Sequence, residues 1–196
     1  GTDTEVLLHL YADKGEAMVH DLRGMFAFAI WDEKRKGLFL ARDHFGIKPL
    51  YYADDGRSIR VASEVKALLA GGSIDTEPDP YAQAGFFVWG HVPEPHTLYS
   101  GIRALPAGST MWIDRDGVRA VRTYADVVEL LAAADSQRVA MDEEERAERL
   151  RAAMLDSVRH HLVADVDVGV FLSAGVDSTV LAALAAEVGG RLRTVT

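Results

Sequence analysis

Cysteine is absent from all 196 residues. That excludes disulfides, cysteine–zinc sites and a cysteine nucleophile within this stretch. No apolar run approaches the roughly 18 residues of a membrane span. The start, Gly1 to Glu5, has neither the basic nor the apolar region of a signal peptide. A reducing, cytoplasmic setting is therefore expected. Positive charge is also short: 21 Lys and Arg stand against 30 Asp and Glu, a formal net charge of -9. An acidic surface argues against nucleic acid and anionic membranes as main partners. It leaves ATP open, because backbone amides hold phosphate on an acidic protein. An initiating Met is lacking and the chain stops in the apolar stretch Leu192 to Thr196, so both ends read as cuts through a longer protein.

What is present is ordinary globular material, 48% hydrophobic and 26% charged, enough to bury a core. Asp3 or Thr4 is expected to cap a helix over Glu5 to Lys14, with Gly15 just past its end. Met25 to Trp31 is apolar on both strand faces, which asks for a covering layer on each side. Phe26, Phe28, Trp31, Phe39, Tyr51 and Tyr52 are candidate core. The polar tips Asp32 to Gly37, Asp54 to Arg57 and Asp114 to Gly117 predict hairpins, the last pairing Met111 to Ile113 with Val118 to Val121. Ser63 is placed as the cap of a short helix, Glu64 to Leu69, stopped by Gly71 and Gly72. Hairpin-joined strands flanked by helices imply α+β antiparallel layers. Five of the six prolines fall between Ser73 and Pro106. A domain junction is placed there, with a short helix near Tyr81 to Trp89.

From Asp142 the pattern changes. Asp142 and Glu145 resemble a capping box, and Ala147, Leu150, Met154, Val158 and Leu162 recur at helical spacing. Val166 to Leu172 then reads as a strand, Val180 to Ala186 as a helix ended by Gly189 and Gly190, and Leu192 to Thr196 as a second strand. That order opens a parallel, Rossmann-like sheet. Between strand and helix lies Leu172-Ser173-Ala174-Gly175-Val176-Asp177-Ser178-Thr179. A tight turn of small residues running into a helix N-terminus offers unpaired amides to an anion. The plainer account is a strand-to-helix turn capped by Ser173 or Asp177. A Walker loop is excluded, since no Gly-Lys-Ser/Thr follows.

Leu172 to Ser178 resembles the pyrophosphate-binding loop, Ser-Gly-Gly-x-Asp-Ser, of the ATP pyrophosphatases. The resemblance implies that Ser173, Gly175, Asp177 and Ser178 line the pyrophosphate and magnesium region and that Leu172 lies beside the nucleotide. Ala174 stands where the pattern has Gly. Alanine there is strained by roughly 1 kcal/mol if its φ is positive and tolerated if it is negative. Upstream, Leu22 to Asp32, Ala41 to Tyr52, Ala62 to Leu68 and Leu105 to Gly108 look like a class II glutamine amidotransferase domain, which implies an incomplete Ntn-hydrolase-like first part. The two motifs in this order resemble the glutamine-hydrolysing asparagine synthetase family. Domains are expected at 1–125, the back of the glutaminase, and 126–196, the opening of the ATP pyrophosphatase.

In that family an N-terminal cysteine releases ammonia from glutamine, and the ammonia attacks a β-aspartyl adenylate. The resemblance implies glutamine, aspartate and ATP as substrates, with Mg²⁺, and no catalytic residue within this fragment, since the cysteine would lie upstream. Gly1-Thr2-Asp3 matches the family's Gly-Ser-Asp element, which makes Asp3 the glutamine-binding residue. A plain helix cap is its alternative role. A β-lactam synthetase-like or lasso-peptide cyclase-like enzyme acting on another carboxylate shares the layout, and a non-catalytic nucleotide-binding module is the remaining alternative. A homodimer is left open. Arg42, Asp43 and His44 are read as a turn stapled by an Arg–Asp pair. Adjacent His160 and His161 point apart and make a poor metal pair. Glu143 to Glu145 complement a helix dipole.

Overall fold

The computed structural model describes residues 2–118, 121–189 and 192–196. The chain divides into two compact units, Gly1–Ser136 and Gln137–Thr196. The first begins with α1 (Asp3–Lys14). Its cap is Thr2, whose hydroxyl accepts the Glu5 amide at 3.3 Å. Asp3 and Thr4, the two caps expected from the sequence, are already inside the helix. Gly15 ends it at φ 59, a conformation that suits glycine.

A hairpin follows, β1 (Ala27–Asp32) and β2 (Gly37–Arg42). Asp32 closes its turn by accepting the amides of Lys34 and Arg35, both at 2.9 Å. β3 (Tyr51–Asp54) and β4 (Ile59–Ala62) form the next hairpin. Then come α2 (Val65–Ala70), α3 (Pro80–Trp89), β5 (Arg103–Ala104), β6 (Ser109–Asp114), β7 (Gly117–Val118), β8 (Arg122–Thr123) and α4 (Val127–Ser136). The α2 cap is Glu64, which makes no side-chain capping bond, so Ser63 does not serve. The expected partner strand over Val118 to Val121 is only partly seen, because residues 119 and 120 lie outside the described residues.

One antiparallel sheet runs β1-β2-β6-β7, with β8 also on β6; a second runs β4-β3-β5. The strand buried on both faces is β2. Phe39 and Ala41 join Met18, Val19, Ile30 and Trp112 on one side, packed by Leu7, Leu10 and Tyr11 of α1. Leu40 joins Leu50, Leu105, Met111 and Ile113 on the other. β1, expected to be covered on both faces, is the edge. Ile30 points inward, while Ala29 is exposed and Trp31 is 57% exposed. Trp31 is therefore not core. The Pro-rich stretch lies inside the first unit, where Ile102 and Leu105 are fully buried.

The second unit holds α5 (Glu143–His161), β9 (Gly169–Phe171), α6 (Val176–Gly189) and β10 (Arg193–Val195). Asp142 caps α5 by accepting the Glu145 amide at 2.8 Å. Its buried face is Leu155 and Val158, packed with Met154 and Leu162 against Leu184 and Ala185 of α6. Leu150, assigned to that face by spacing, is 61% exposed. β9 and β10 pair in parallel. β9 is shorter than expected and not buried: Phe171 is 83% exposed. Val170 of β9 and Leu192, just before β10, pack against the α5–α6 core. Gly190, read as a helix stop, lies outside the described residues.

Candidate functional site

Two places gather the residues singled out by sequence. The first is the turn between β9 and α6. Leu172 is held at the end of the strand by its amide, which donates to Val195 O at 2.8 Å. The helix begins at Val176, and its first hydrogen bond runs from Thr179 N to Gly175 O at 3.2 Å. The turn folds on two serines. Ser173 Oγ lies 2.9 Å from Ser178 Oγ and accepts the Gly175 amide at 3.2 Å. Ser178 Oγ accepts the Ser173 amide at 3.2 Å and lies 3.0 Å from Gly175 O. Thr179 donates its hydroxyl to the same carbonyl at 2.8 Å.

Asp177 sits in the first turn of α6, is exposed, and makes no hydrogen bond or ion pair among the described residues. A side chain at Gly175 would come within 3.3 Å of Ser173 Oγ, so glycine keeps the cradle open. Ala174 is exposed and is not among the residues of positive φ. The alanine is therefore unstrained. The loop is a short exposed run of hydroxyls and amides with one carboxylate that has no partner among the described residues, chemistry suited to a phosphate chain and a hard cation.

The second place is a cavity of about 470 Å³ at the start of α1, lined by Asp3, Thr4, Leu7, Phe26, Lys48 and Pro49 among others. Asp3 is exposed at its rim. Its Oδ1 accepts the Thr4 amide at 2.7 Å. Its other carboxylate oxygen makes no hydrogen bond among the described residues and lies beside an apolar floor. Gly1 of the same element lies outside the described residues. A larger groove of about 740 Å³ runs between hairpin tips at Trp31, Arg57 and Arg115; it contains none of the ligand-binding residues chosen from sequence.

Arg42, Asp43 and His44 do not form an Arg–Asp staple. Arg42 is 4% exposed. Its guanidinium donates to Lys48 O at 2.8 Å, Leu105 O at 2.6 Å and Gly46 O at 2.6 Å. It also meets Glu94 at 2.8 Å. Gly46 is needed beneath it, for its φ is 63 and a Cβ would press on the guanidinium at 3.0 Å. Asp43 is buried and works on its own loop, accepting the amides of Phe45, Ile47 and Lys48 at 3.1, 3.0 and 2.9 Å. Burial opposes its charge, but those amides outweigh burial and hold the carboxyl below its ordinary value. Tyr124 donates its hydroxyl to Arg42 O at 2.9 Å. Burial and the nearby Asp43 charge push the phenol up to about 12. His44 packs edge-on against Tyr124 and Phe26. The triplet builds the loop that presents Lys48 and Pro49 to the Asp3 cavity.

Asp79 was visible in the sequence only as part of the Pro-rich stretch. It is 2% exposed and caps α3 through the amides of Tyr81 and Ala82. Its Oδ2 lies 2.9 Å from His96 Nδ1 and 2.6 Å from Arg103. The Asp-Pro pair at a helix start carried the signal. His160 and His161 each turn back to a carbonyl of their own helix, at 2.7 and 2.8 Å. No group of three His or carboxylate residues able to hold a metal occurs among the described residues. Nor is any helix there long and apolar enough to cross a membrane.

Residues 1–125 match the glutamine amidotransferase domain family, and residues 149–196 match the asparagine synthase family. A putative glutamine-hydrolysing asparagine synthetase of Mycobacterium bovis is 42% identical over 99% of this chain and 30% of its own length. Asparagine synthetase 1 of Bacillus subtilis is 38% identical over 98% of the chain and 29% of its own. Asparagine synthetase B of Escherichia coli is 36% identical over 97% and 28%. The chain thus spans about 30% of the length of these relatives. A solved glutamine phosphoribosylpyrophosphate amidotransferase of B. subtilis superposes at TM-score 0.41 and 19% identity over all of this chain and 39% of that one, too loosely to define a shared fold.

Proposed function

The chain belongs to the glutamine amidotransferase domain family, and from that premise we propose that it is part of a glutamine-dependent asparagine synthetase. The observation that carries the reading is order: a glutamine amidotransferase match over residues 1–125 is followed, in the same chain, by an asparagine synthase match over 149–196. The relatives that bear this name match across both stretches.

In this reading the first unit is part of an Ntn-hydrolase-like glutaminase. Asp3 takes the α-amino group of glutamine at the rim of its cavity. With no cysteine among the 196 residues, the nucleophile is supplied from outside them. The β9–α6–β10 unit opens a Rossmann-like sheet. The Ser173 and Ser178 hydroxyls and the amides entering α6 bind the phosphate chain of ATP, and Leu172 borders the nucleotide. Asp177 and the phosphates themselves suit Mg²⁺, which is commonly held by one or two carboxylates plus substrate oxygens. The ion's contribution is to neutralise charge as pyrophosphate departs. Aspartate's side-chain carboxylate displaces pyrophosphate from ATP, and ammonia from glutamine then displaces AMP to leave asparagine.

The test is nitrogen transfer in the full-length protein supplied with aspartate, ATP, Mg²⁺ and glutamine labelled with ¹⁵N in its amide. The expected result is label in the asparagine amide, with AMP and pyrophosphate in equal amounts. Release of ADP, or label in no asparagine, rejects the assignment.

A further inference from the structure

α3 turns its apolar side outward. Asp79 caps its start, and at its end Gly90, at φ 76, donates its amide to Phe86 O at 2.9 Å. Between the caps only Ala82 and Gly85 are buried. Gly85 lies against the ring of Pro93, where a Cβ would clash, so small residues hold the helix down from behind. Tyr81, Ala84, Phe87 and Val88 recur at helical spacing on the other side, and all four are exposed.

The area left open is large for so short an element. Tyr81, Phe87 and Trp89 are 72%, 85% and 70% exposed. At roughly 150–250 Å² for each such side chain, these three leave about 450 Å² of aromatic surface in water. Val88 adds to it, as does Phe86, whose ring meets that of Phe87 edge-on at 5.9 Å. The largest apolar patch on an ordinary monomer is about 300–600 Å². One side of a standard protein interface is about 800 Å², so α3 can supply the apolar centre of such an interface and its polar neighbours the rim.

Charge narrows the choice of partner. Residues 80–93 contain no Asp, Glu, Lys or Arg, the longest such stretch in the chain. A different protein recognised by its charges finds nothing there to read. Two copies of this chain, each with a formal net charge of -9, repel one another over most of their surface but not across this stretch. An uncharged face is also complementary to itself, which a two-fold contact requires, because the same patch serves both partners. Ala84 stands midway between Tyr81 and Phe87, and a small residue there lets two helices approach closely.

We propose that the outward face of α3 is a homodimer interface, in which two copies pair their α3 helices antiparallel about a two-fold axis beside Ala84. In that arrangement residues equally far from Ala84 on either side meet across the axis. Tyr81 of one copy packs on Phe87 of the partner subunit, and Ala84 faces its own equivalent. The pairing covers the aromatic surface of both copies at once and brings no charged side chain of α3 into the contact. It does not depend on the asparagine synthetase reading, and neither would fall with the other.

The experiment is analytical ultracentrifugation of the full-length protein over a series of concentrations, comparing wild type, Ala84→Glu, Ala84→Lys and an equal mixture of the two variants. Glu and Lys are good helix formers at an exposed helical position, so both variants should keep the fold. Wild type is expected to sediment as a dimer. Each variant alone sets like charges against each other at the axis and should weaken dimerisation about thirtyfold or more, the loss at an interface hot spot. The mixture should dimerise again, because opposite charges then meet. Val128→Glu, a charge placed on an exposed residue of α4, should sediment as wild type. A wild-type monomer at every concentration overturns the proposal and means that α3 is covered by more of the same polypeptide or by another protein. A dimer that either Ala84 variant leaves as tight as wild type overturns it too, by placing the interface elsewhere.

Discussion

The Arg103 guanidinium donates to the Asp79 carboxylate at 2.6 Å, on an oxygen that His96 Nδ1 also approaches at 2.9 Å. Burial opposes charge on Asp79. The contacts with His96, the Ala82 amide, Arg103 and the Tyr81 amide together overcome it and bring the pKa from 3.8 to about 2. A carboxyl whose folded value is depressed stabilises the fold above its unfolded value and stops doing so as pH falls through the folded value. The stabilisation from Asp79 is therefore complete above about pH 4 and disappears toward pH 2. Urea titrations should show the midpoint of wild type falling more steeply between pH 4 and 2 than that of Asp79→Asn. At neutral pH the variant should lose about 2 kcal/mol, as expected for a helix cap that also holds a buried charge. Equal slopes in the acid range would show that the triad does not tune stability.

Phe39 and Trp31 offer a contrast in burial. Phe39 is fully buried in the layer under α1, stacked 5.6 Å from the Tyr11 ring. Phe39→Ala should cost about 3–5 kcal/mol. Trp31 lies on the open face of the edge strand, and its indole N–H reaches only Glu33, at 2.8 Å. Trp31→Ala should stay within about 0.5 kcal/mol of wild type. Denaturant unfolding of the two variants checks this. A large loss at Trp31 would mean that the outer face of β1 is covered in solution.

Ala174 departs from the glycine of the family loop, and its backbone has no positive φ to relieve. Ala174→Gly should therefore leave ATP affinity unchanged. It should lower stability slightly, by less than about 1 kcal/mol, through the greater freedom of the unfolded chain. Calorimetric titration with ATP beside a thermal melt checks both. A marked gain in affinity would mean that the loop needs a conformation alanine resists.

Much of this architecture is legible in local chemistry. The tips Asp32 to Gly37 and Asp54 to Arg57 declare themselves because their first aspartates bind amides within the turn, as Asp54 does with Gly56 N at 2.8 Å. The start of α6 beside Asp177 follows from a run of small residues after a strand. What fails to show is whatever depends on distant partners. β2 pairs with β6 across a long interval of sequence, so nothing near Phe39 says that β2, rather than β1, is the central strand. The buried stripe of α5 is set by where α6 lies against it, which brings Leu155 in and leaves Leu150 out.

The candidate site divides the same way. The turn from Ser173 to Ser178, proposed above to hold phosphate, is contiguous, so its local geometry could be read from its residues. The Arg42–Glu94 contact and the Asp79–His96–Arg103 cluster join separate segments, and only the folded chain brings them together. An Arg next to an Asp in sequence invited a pairing that the fold does not make: Asp43 accepts amides of its own loop, while Arg42 donates to carbonyls of that loop and of Leu105 and meets Glu94.

The most direct test of the account is the affinity of the turn between Ser173 and Ser178 for ATP, measured by calorimetry on the full-length protein with Mg²⁺. Ser173→Ala and Asp177→Ala should each weaken binding about tenfold or more, the effect of losing one charge-assisted contact. Their melting temperatures should stay near that of wild type, since both side chains are exposed. Wild-type affinity in both variants would contradict the claim that this loop holds the nucleotide's phosphates.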